Sequence, residues 1–349
     1  FMFKNFFGRL SKDIGVDLGT SNTLFFVRER GIVINEPTVA AINTRTDQLV
    51  AVGLEAKRML GKTPPHIDVI KPIESGVIAN FEICEKLIKH FIEKIHRESF
   101  TVTPRPRIIV NIPLDITEVE RKAVNDVIMG AGAREVHLIE EPIAAAIGAR
   151  LNLQDSYGHM IVEIGGGKTS MAVISLSGIV AGHTIRTAGD EFDNTIREYI
   201  RENFNIIIGQ KGAEEIKIKI GSVLPLAEPI EIKVKGRNLL TGLPKEFAIN
   251  DGQIREAIKR PVRTLVEHIR STVENTPAEL VGDLHESGVL LSGGSSLLRG
   301  LDVLIAKELT IPVHLVDDPL TTVVRGTGIL LEDAVLLKEV ESLGNMVLI

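Results

Sequence analysis

The sequence predicts an α/β protein built from two related lobes that face each other across a cleft. Two stretches, at 14–27 and 159–176, support this prediction. Each is a strand that ends in a carboxylate, passes through a turn of small residues and returns as a second strand. A length of 349 residues also exceeds the usual single hydrophobic core, which favours two large units.

The second stretch contains three consecutive glycines, Gly165, Gly166 and Gly167, between two apolar strands. Residues without a Cβ atom allow backbone N–H groups to close around an anion. Lys168 and the threonine after it suggest a Walker A loop, but that motif needs a glycine where Val162 stands. It also needs a helix after the lysine, and the sequence there is strand-like. We therefore predict a phosphate-binding turn that is not a P-loop.

Aligning the two stretches pairs Asp17 with Glu163 and Gly19 with Gly165. Such internal similarity is typical of a duplicated unit. The two turns can hold phosphates, and the two carboxylates can hold a hydrated magnesium ion. Either stretch alone could be an ordinary hairpin with a glycine turn, but the matched pair favours a shared binding site.

Composition limits the class of protein. A net charge of −6 and the lack of a basic block argue against nucleic-acid binding. The single cysteine, Cys84, excludes an internal disulfide and fits a reducing cytoplasm. No apolar run approaches the roughly 18 residues of a spanning helix, and no signal-peptide pattern is present. We therefore expect a cytoplasmic protein.

The first ten residues predict a membrane-binding segment. Phe3, Phe6 and Phe7 fall on one face at helical spacing, with basic residues away from that face. This pattern is typical of a short amphipathic helix that lies in a membrane interface. A later loop displays Phe100 and Val102 among basic residues and could assist. We expect peripheral binding at the inner face of the cell membrane; the alternative is a segment packed on the protein's own core.

Strands and helices alternate along the rest of the chain. Apolar and alternating runs predict strands at 31–42, 48–53, 108–112, 136–139, 179–185, 228–234, 246–249, 288–291 and 313–315. Helical spacing and caps predict helices at 54–60, 81–95, 118–129, 143–151, 189–204, 213–220, 251–274, from 297, and at 321–337. Thr117 and Asp251 are the predicted N-caps of two of these helices. Gly148 and the alanines near it suit a closely packed helix between the lobes.

Several motifs resemble a known superfamily. In order, DLGTSNT, IEEPIAAAIG, EIGGGKTS, AGDEFD and LSGGSSLLRGL are similar to motifs of the superfamily of actin, DnaK-type chaperones and sugar kinases. INEPTVAAI, MLGKTP, GVIANF, TGLPKEF and TPAELVGDL narrow the resemblance to the MreB family of bacterial actins, over nearly the whole chain. The resemblance implies an actin-like two-lobed ATPase fold, with duplicated mixed five-stranded sheets flanked by helices and two small inserted subdomains.

The resemblance also implies a division of the chain. Residues 1–10 would form the membrane segment. Residues 11–148 would form lobe I, with a small insertion at about 33–76. Residues 149–349 would form lobe II, with a small insertion at about 188–257 and a C-terminal helix that packs back toward lobe I.

By the same resemblance, ATP or ADP with Mg²⁺ would lie between the lobes. Asp17, and Glu163 through water, would hold the metal ion. The residues that would bind the nucleotide are Gly19, Thr20, Ser21 and Asn22 in the first phosphate loop, Gly165, Gly166 and Gly167 in the second, Gly189 and Asp190 in AGDEFD, Glu214 and Lys217 at the ribose, and Gly293, Gly294 and Ser295 beside adenine. Taken alone, Glu214 and Lys217 could be an i,i+3 surface pair.

The resemblance further implies that Glu141 orients the water that attacks ATP. Two residues depart from the family pattern: Glu163 replaces an aspartate, and Lys168 replaces a threonine. Glutamate reaches one methylene further, so metal-bound waters must shift. A lysine attracts the γ-phosphate but can also pair with Glu141 or Glu163, unless it points to solvent. We therefore expect a weak ATPase in which Glu141 orients the water while Lys168 and Glu163 slow hydrolysis.

The expected function is that of a cytoskeletal protein that polymerises into membrane-associated filaments governing cell shape. The filaments would pair antiparallel along the face that carries the helix at 118–129. The partners would be further copies of this chain, the cytoplasmic membrane surface, and shape-determining or wall-synthesis proteins, with no nucleic acid. A sugar or acid kinase is the alternative, but no motif for its catalytic aspartate stands out. We expect no chaperone, because no substrate-binding domain follows lobe II.

Overall fold

The computed structural model describes residues 12–97 and 105–344, and two five-stranded sheets form its framework. The strands are β1 (Ile14–Leu18), β2 (Asn22–Val27), β3 (Gly31–Pro37), β4 (Ala40–Asn43), β5 (Gln48–Val52), β6 (Ile67–Ile70), β7 (Ile73–Glu74), β8 (Val77–Ile78), β9 (Arg107–Ile112), β10 (Glu135–Glu140), β11 (His159–Ile164), β12 (Thr169–Ser175), β13 (Gly178–Ile185), β14 (Ile206–Ile207), β15 (Glu231–Asn238), β16 (Pro244–Asn250), β17 (Val289–Ser292) and β18 (Val313–Leu315). The helices are α1 (Gly53–Met59), α2 (Phe81–Arg97), α3 (Glu118–Gly130), α4 (Glu141–Gly148), α5 (Gly189–Phe204), α6 (Gln210–Ile220), α7 (Asp251–Glu274), α8 (Ala278–Ser287), α9 (Leu301–Leu309), α10 (Thr322–Glu332) and α11 (Ala334–Gly344).

The two large sheets repeat one topology. The first sheet has the order β10-β9-β1-β2-β3, and the second has the order β18-β17-β11-β12-β13. In the first, β1 pairs antiparallel with β2 and parallel with β9. In the second, β11 pairs antiparallel with β12 and parallel with β17. The prediction of two mixed five-stranded sheets is confirmed, and the shared order agrees with duplication of one unit.

Two three-stranded sheets accompany the large ones, β5-β4-β6 and β14-β15-β16. They fall within the ranges 33–76 and 188–257, where the insertions are expected, although the boundaries of lobes and insertions stay predictions. A separate hairpin joins β7 to β8. Across the ranges that the structure describes, no helix combines the length and apolar content needed to cross a bilayer.

Several element ends differ from the sequence prediction, for local reasons. The strand expected at 31–42 is two strands, and the break follows Pro37, which has no N–H to donate. The helix expected at 321–337 is also interrupted: Asp333 Oδ1 accepts the N–H of Val335 at 3.0 Å and starts α11. Asn250, rather than Asp251, caps α7 through a reciprocal capping box.

One predicted helix cap agrees with the structure, and one helix was not predicted. Thr117 caps α3 as predicted, in a capping box with Glu120. Helix α8 was not predicted. Helix α4 starts at Glu141, two residues before the predicted start of this helix at 143.

Helices α4 and α10 cross at the joint between the two sheets. All eight residues of α4 are buried. A Cβ atom at Gly148 would overlap the carbonyl oxygen of Thr322, and one at Gly326 would overlap that of Ala144. The two backbones therefore touch without intervening side chains, as the glycine and alanines of α4 predict. Side chains from both sheets and from α10 pack around the crossing: Ile109, Ile139, Ile161, Ala172, Ile174, Val323 and Leu330.

We predict that Gly326→Ala destabilises the protein, because the new methyl group must push α4 away from α10. Overpacking of this kind costs about 1–3 kcal/mol of unfolding free energy. Gly282→Ala is the matched control: Gly282 lies in α8, and a Cβ there would meet nothing within 4 Å. That control should gain about 0.5–1 kcal/mol, because alanine suits a helix better than glycine. Urea unfolding of both variants measures the difference; equal stabilities would contradict a tight crossing.

Candidate functional site

One cavity lies between the two large sheets, and residues from both line it. It brings together every cleft residue that the sequence predicts: Asp17, Gly19, Thr20, Ser21, Asn22, Glu141, Glu163, Gly165, Gly166, Gly167, Lys168, Gly189, Asp190, Glu214, Lys217, Gly293, Gly294 and Ser295. The two small-residue turns touch across this cavity. A Cβ at Gly166 would overlap Ser21 Oγ, and one at Gly167 would lie 2.5 Å from Thr20 Oγ1. Glycine is therefore required for the close approach of the turns.

The first turn, which follows β1, is held by Thr38 at the junction of β3 and β4. Thr38 Oγ1 donates to the carbonyl oxygen of Gly19 at 2.7 Å, and Thr38 N donates to that of Ser21 at 3.0 Å. The Thr38 hydroxyl also lies 2.9 Å from that of Thr23. These bonds fix the carbonyl groups of the turn.

The glycine turn between β11 and β12 is held from the second sheet. Gly165 N donates to the Lys168 carbonyl oxygen at 3.0 Å and closes the hairpin. The Gly165 carbonyl oxygen accepts Ser295 Oγ at 2.7 Å and Gly189 N at 3.2 Å. Asp190 N donates to the Gly166 carbonyl oxygen at 2.7 Å. The start of α5 therefore lies directly behind the turn, where a helix N-terminus favours bound anions.

Glu141 is the centre of a buried hydrogen-bond network, and its side chain is almost fully enclosed. Its Oε2 accepts Lys168 Nζ at 2.5 Å and Ser170 Oγ at 2.6 Å. Its Oε1 accepts Asn111 Nδ2 at 3.0 Å, and Asn111 Oδ1 in turn accepts Leu18 N at 2.9 Å. Both carboxylate oxygens thus have fixed donors.

Lys168 takes one of the two partners that the sequence suggests for it. It is only 5% exposed, so the alternative of a lysine pointing to solvent is wrong. Its side chain crosses from the glycine turn to α4, and its ammonium group forms the ion pair with Glu141.

The cleft is lined by more acidic than basic side chains. Desolvation in the cleft, with the nearby negative charge of Glu141, raises the pKa of Asp17 to about 7. Burial, again with the charge of Glu141, raises the pKa of Glu163 well above its usual range. The Lys168 ammonium opposes both shifts without cancelling them. A bound cation would favour the ionised form of both carboxyl groups.

The donor set near the turns fits a hydrated magnesium ion. Mg²⁺ is commonly held by one or two carboxylates, with water and phosphate oxygens completing its shell. Asp17 and Glu163 supply two such carboxylates on the cavity wall. Within residues 12–97 and 105–344, no group of three or more His, Cys, Asp or Glu side chains is arranged to hold a metal directly. Two carboxylates on the cavity wall suit an ion that keeps most of its water.

At the other end of the cavity, Glu214 and Lys217 have different partners, so they are not the i,i+3 pair considered from the sequence. Lys217 Nζ lies 2.8 Å from Asp193 Oδ1 and donates to the Gly189 carbonyl oxygen at 2.9 Å. Glu214 Oε2 accepts Lys57 Nζ at 3.0 Å. Lys57 lies on α1, so this ion pair spans the mouth of the cleft.

Sequence reasoning missed further residues of the cavity wall and of the hydrogen-bond network and ion pair around it. Ile218 and Leu320 are exposed apolar residues of the wall, and Leu320 lies next to Gly294. Asn111 and Ser170 had a usable signal, since each is a polar residue directly beside the apolar run of its strand. Lys57 had none, because its partner lies 157 positions away.

The residues predicted to bind membrane lie outside the described part of the chain. They are Phe3, Phe6, Phe7, Phe100 and Val102. Their role stays a prediction from the sequence.

Comparison with known proteins gives consistent matches. The family model described as MreB/Mbl protein matches residues 11–339. The cell shape-determining protein MreB of Escherichia coli (strain K12) is 48% identical over 337 residues, which cover 95% of this chain and 96% of that protein.

Two solved proteins share the fold. The crystal structure of MreB5 of Spiroplasma citri bound to ADP has a TM-score of 0.88 at 36% identity, over 95% of this chain and 98% of that one. The same protein bound to AMPPNP matches equally. The MamK double helical filament has a TM-score of 0.77 at 20% identity, over 93% of this chain and 99% of that one. The predicted actin-like fold is confirmed.

Proposed function

This chain belongs to the MreB/Mbl family, and on that premise we propose that it is an actin-like cytoskeletal protein that binds ATP with Mg²⁺ and polymerises into filaments governing cell shape. The observation that chiefly supports this is the cavity that both small-residue turns line together. The similar MreB5 of Spiroplasma citri is bound to ADP in one structure and to AMPPNP in another, which supports an adenine nucleotide as the ligand.

In this proposal, different cavity residues bind different parts of the nucleotide. The turns at 19–22 and 165–167 bind the phosphates through backbone N–H groups, and the start of α5 adds its dipole. Gly293, Gly294 and Ser295 lie beside adenine. Glu214 binds the ribose after releasing Lys57. Asp17, and Glu163 through water, hold Mg²⁺, which when bound neutralises charge on the phosphate oxygens.

We propose that Glu141 orients the attacking water and that Lys168 slows this step. A water-orienting carboxylate needs a lone pair directed at the water. Both oxygens of Glu141 already accept hydrogen bonds, and Lys168 adds a full positive charge at 2.5 Å. Hydrolysis would require Glu141 either to give up a bond at Oε2 or to reach the water with the remaining lone pair of Oε1 while the ion pair holds the carboxylate in place. Nucleotide binding would be less affected, since the turns and Asp17 are intact.

The alternative of a sugar or acid kinase is not favoured, because the MreB/Mbl family model spans residues 11–339. We propose that the filaments are double and antiparallel, paired along α3. Val119 and Met129 are exposed apolar residues on that helix, which supports a contact there. We further propose that the filaments lie at the inner face of the cell membrane and recruit other shape-determining or wall-synthesis proteins.

We predict that the protein sediments as filaments with ATP and Mg²⁺ and stays in the supernatant without nucleotide. ATP joins the two lobes across the cleft and so favours one closed form that can stack. Negative-stain microscopy of the pellet identifies the polymer. Asp17→Ala should abolish pelleting while retaining cooperative thermal unfolding. A protein that never pellets, at any nucleotide, salt or protein concentration, would be a soluble ATPase or kinase instead.

We predict that Lys168→Thr raises the rate of phosphate release from ATP, because Glu141 is then free to face the water. Misplacement of a catalytic group can cost on the order of 100-fold in rate. The increase should be larger when Glu163→Asp is added. Lys211→Thr is the control, since Lys211 is an exposed lysine on α6. Should Lys168→Thr release phosphate no faster than wild type, the slowing role of Lys168 is refuted.

We predict that deletion of residues 1–10 sharply reduces flotation of the filaments with liposomes. One short apolar face binds a membrane weakly. A filament carries many such faces, so its overall membrane affinity is much higher through avidity. Phe100→Ser with Val102→Ser should reduce flotation less. Unchanged flotation after the deletion would assign the segment to the protein's own core.

A further inference from the structure

Gly76 lies in a two-residue turn that reaches from the first sheet's side of the cleft to Lys168. The turn joins β7 to β8, with Ile73 opposite Ile78 and Glu74 opposite Val77. Its two central residues have positive φ, 49° at Ser75 and 80° at Gly76. Such tight hairpin turns favour glycine for backbone reasons alone. The backbone requirement must therefore be separated from any further role of Gly76.

The further role concerns the space beside Gly76. A Cβ at this position would overlap Lys168 Cδ and would lie 2.7 Å from Cε and 3.2 Å from Cγ. The methylene chain of Lys168 thus occupies the place of the missing side chain, while its ammonium group contacts Glu141. On the side that faces the first sheet, the stem of Lys168 packs against Gly76, which has no side chain.

Hydrogen bonds and core packing hold this turn in place beside Lys168. Gly76 N donates to Thr20 Oγ1 at 2.9 Å, which ties the turn to the first phosphate loop. Asn80 N donates to the Pro72 carbonyl oxygen at 3.1 Å and closes the base of the hairpin. Ile73 is 1% exposed and packs in the core of the first lobe. If a methyl group were added at Gly76, the flexible lysine would move rather than the turn.

We propose that Gly76 is a positioning residue that holds Lys168 on Glu141, and that the turn thereby limits hydrolysis; this rests on the proposed role of Glu141. The missing side chain leaves a groove that matches the lysine stem. A methyl group in the groove displaces the stem and separates the ammonium group from Glu141, although the charge of Lys168 is unchanged. Gly76 and Lys168 therefore act as one unit formed from both lobes.

The test is a double-mutant cycle with Gly76→Ala in wild type and in Lys168→Thr. Threonine lacks the Cδ and Cε atoms, so the new methyl group has room in that background. The cost of alanine at positive φ is the same in both backgrounds and cancels in the comparison. Gly61→Ala is the matched control, because Gly61 has φ of 70° and a Cβ there would meet nothing within 4 Å.

Thermal unfolding without nucleotide is the first measurement. Gly76→Ala should lower the unfolding midpoint of wild type by several degrees and that of Lys168→Thr by clearly less. Gly61→Ala should lower both midpoints equally. If Gly76→Ala shifts both backgrounds by the same amount, the groove does not hold the lysine and the proposal is overturned, whatever the rates are.

Phosphate release with saturating ATP and Mg²⁺ is the second measurement. Gly76→Ala should raise kcat of wild type by about tenfold, part of the ~100-fold that misplacement can cost, with KM little changed. It should not raise kcat of Lys168→Thr. If Lys168→Thr is faster than wild type but Gly76→Ala is not, Gly76 does not control Glu141 and the proposal fails. If Lys168→Thr itself is no faster, the proposed slowing by Lys168 fails, and the unfolding cycle alone decides whether Gly76 seats the lysine.

Discussion

The direct contact of two helix backbones, α4 and α10, is the constraint on which the rest of the molecule depends. Each sheet is attached to this crossing through apolar side chains, so the crossing sets how the sheets sit across the cleft. Gly148 and Gly326 leave no side chain at the contact that could change rotamer and absorb a shift. Packed interiors of this kind resist small displacements. The base of the cleft is therefore rigid. At its mouth, the two sides of the cleft are joined by the ion pair between Lys57 and Glu214.

The chemistry of the cleft follows from the burial of several carboxyl groups close together. Burying a carboxylate is costly unless a cation or hydrogen-bond donors compensate it. Glu141 is fully compensated by Lys168, Ser170 and Asn111. Asp17 and Glu163 are not, and their raised pKa values are the consequence. Lys168 thus neutralises Glu141 on α4. Asp17 on β1 and Glu163 on β11 remain available to bind a cation.

Sequence reasoning succeeded where the signal is local. Apolar strands and capped helices identify most elements, and the paired motifs identify the cavity wall. It failed where partners are distant along the chain, because local periodicity says nothing of tertiary contacts. The pairing of Lys57 with Glu214 and the contact of Gly76 with Lys168 are of this kind. The chemical roles of the cavity residues, the lobe boundaries and membrane binding stay predictions.

The position of α10 determines when the first sheet can finish folding during synthesis. Gly15 on β1 lies against Thr327, where a Cβ would be 2.5 Å from the threonine hydroxyl. One face of the first sheet is thus covered by a helix that is synthesised only after all the strands of both large sheets. Until then the nascent chain carries an uncovered apolar sheet, a typical site of misassembly. The first sheet is therefore covered only after the second sheet has been made, and a translation product truncated before α10 would leave it open.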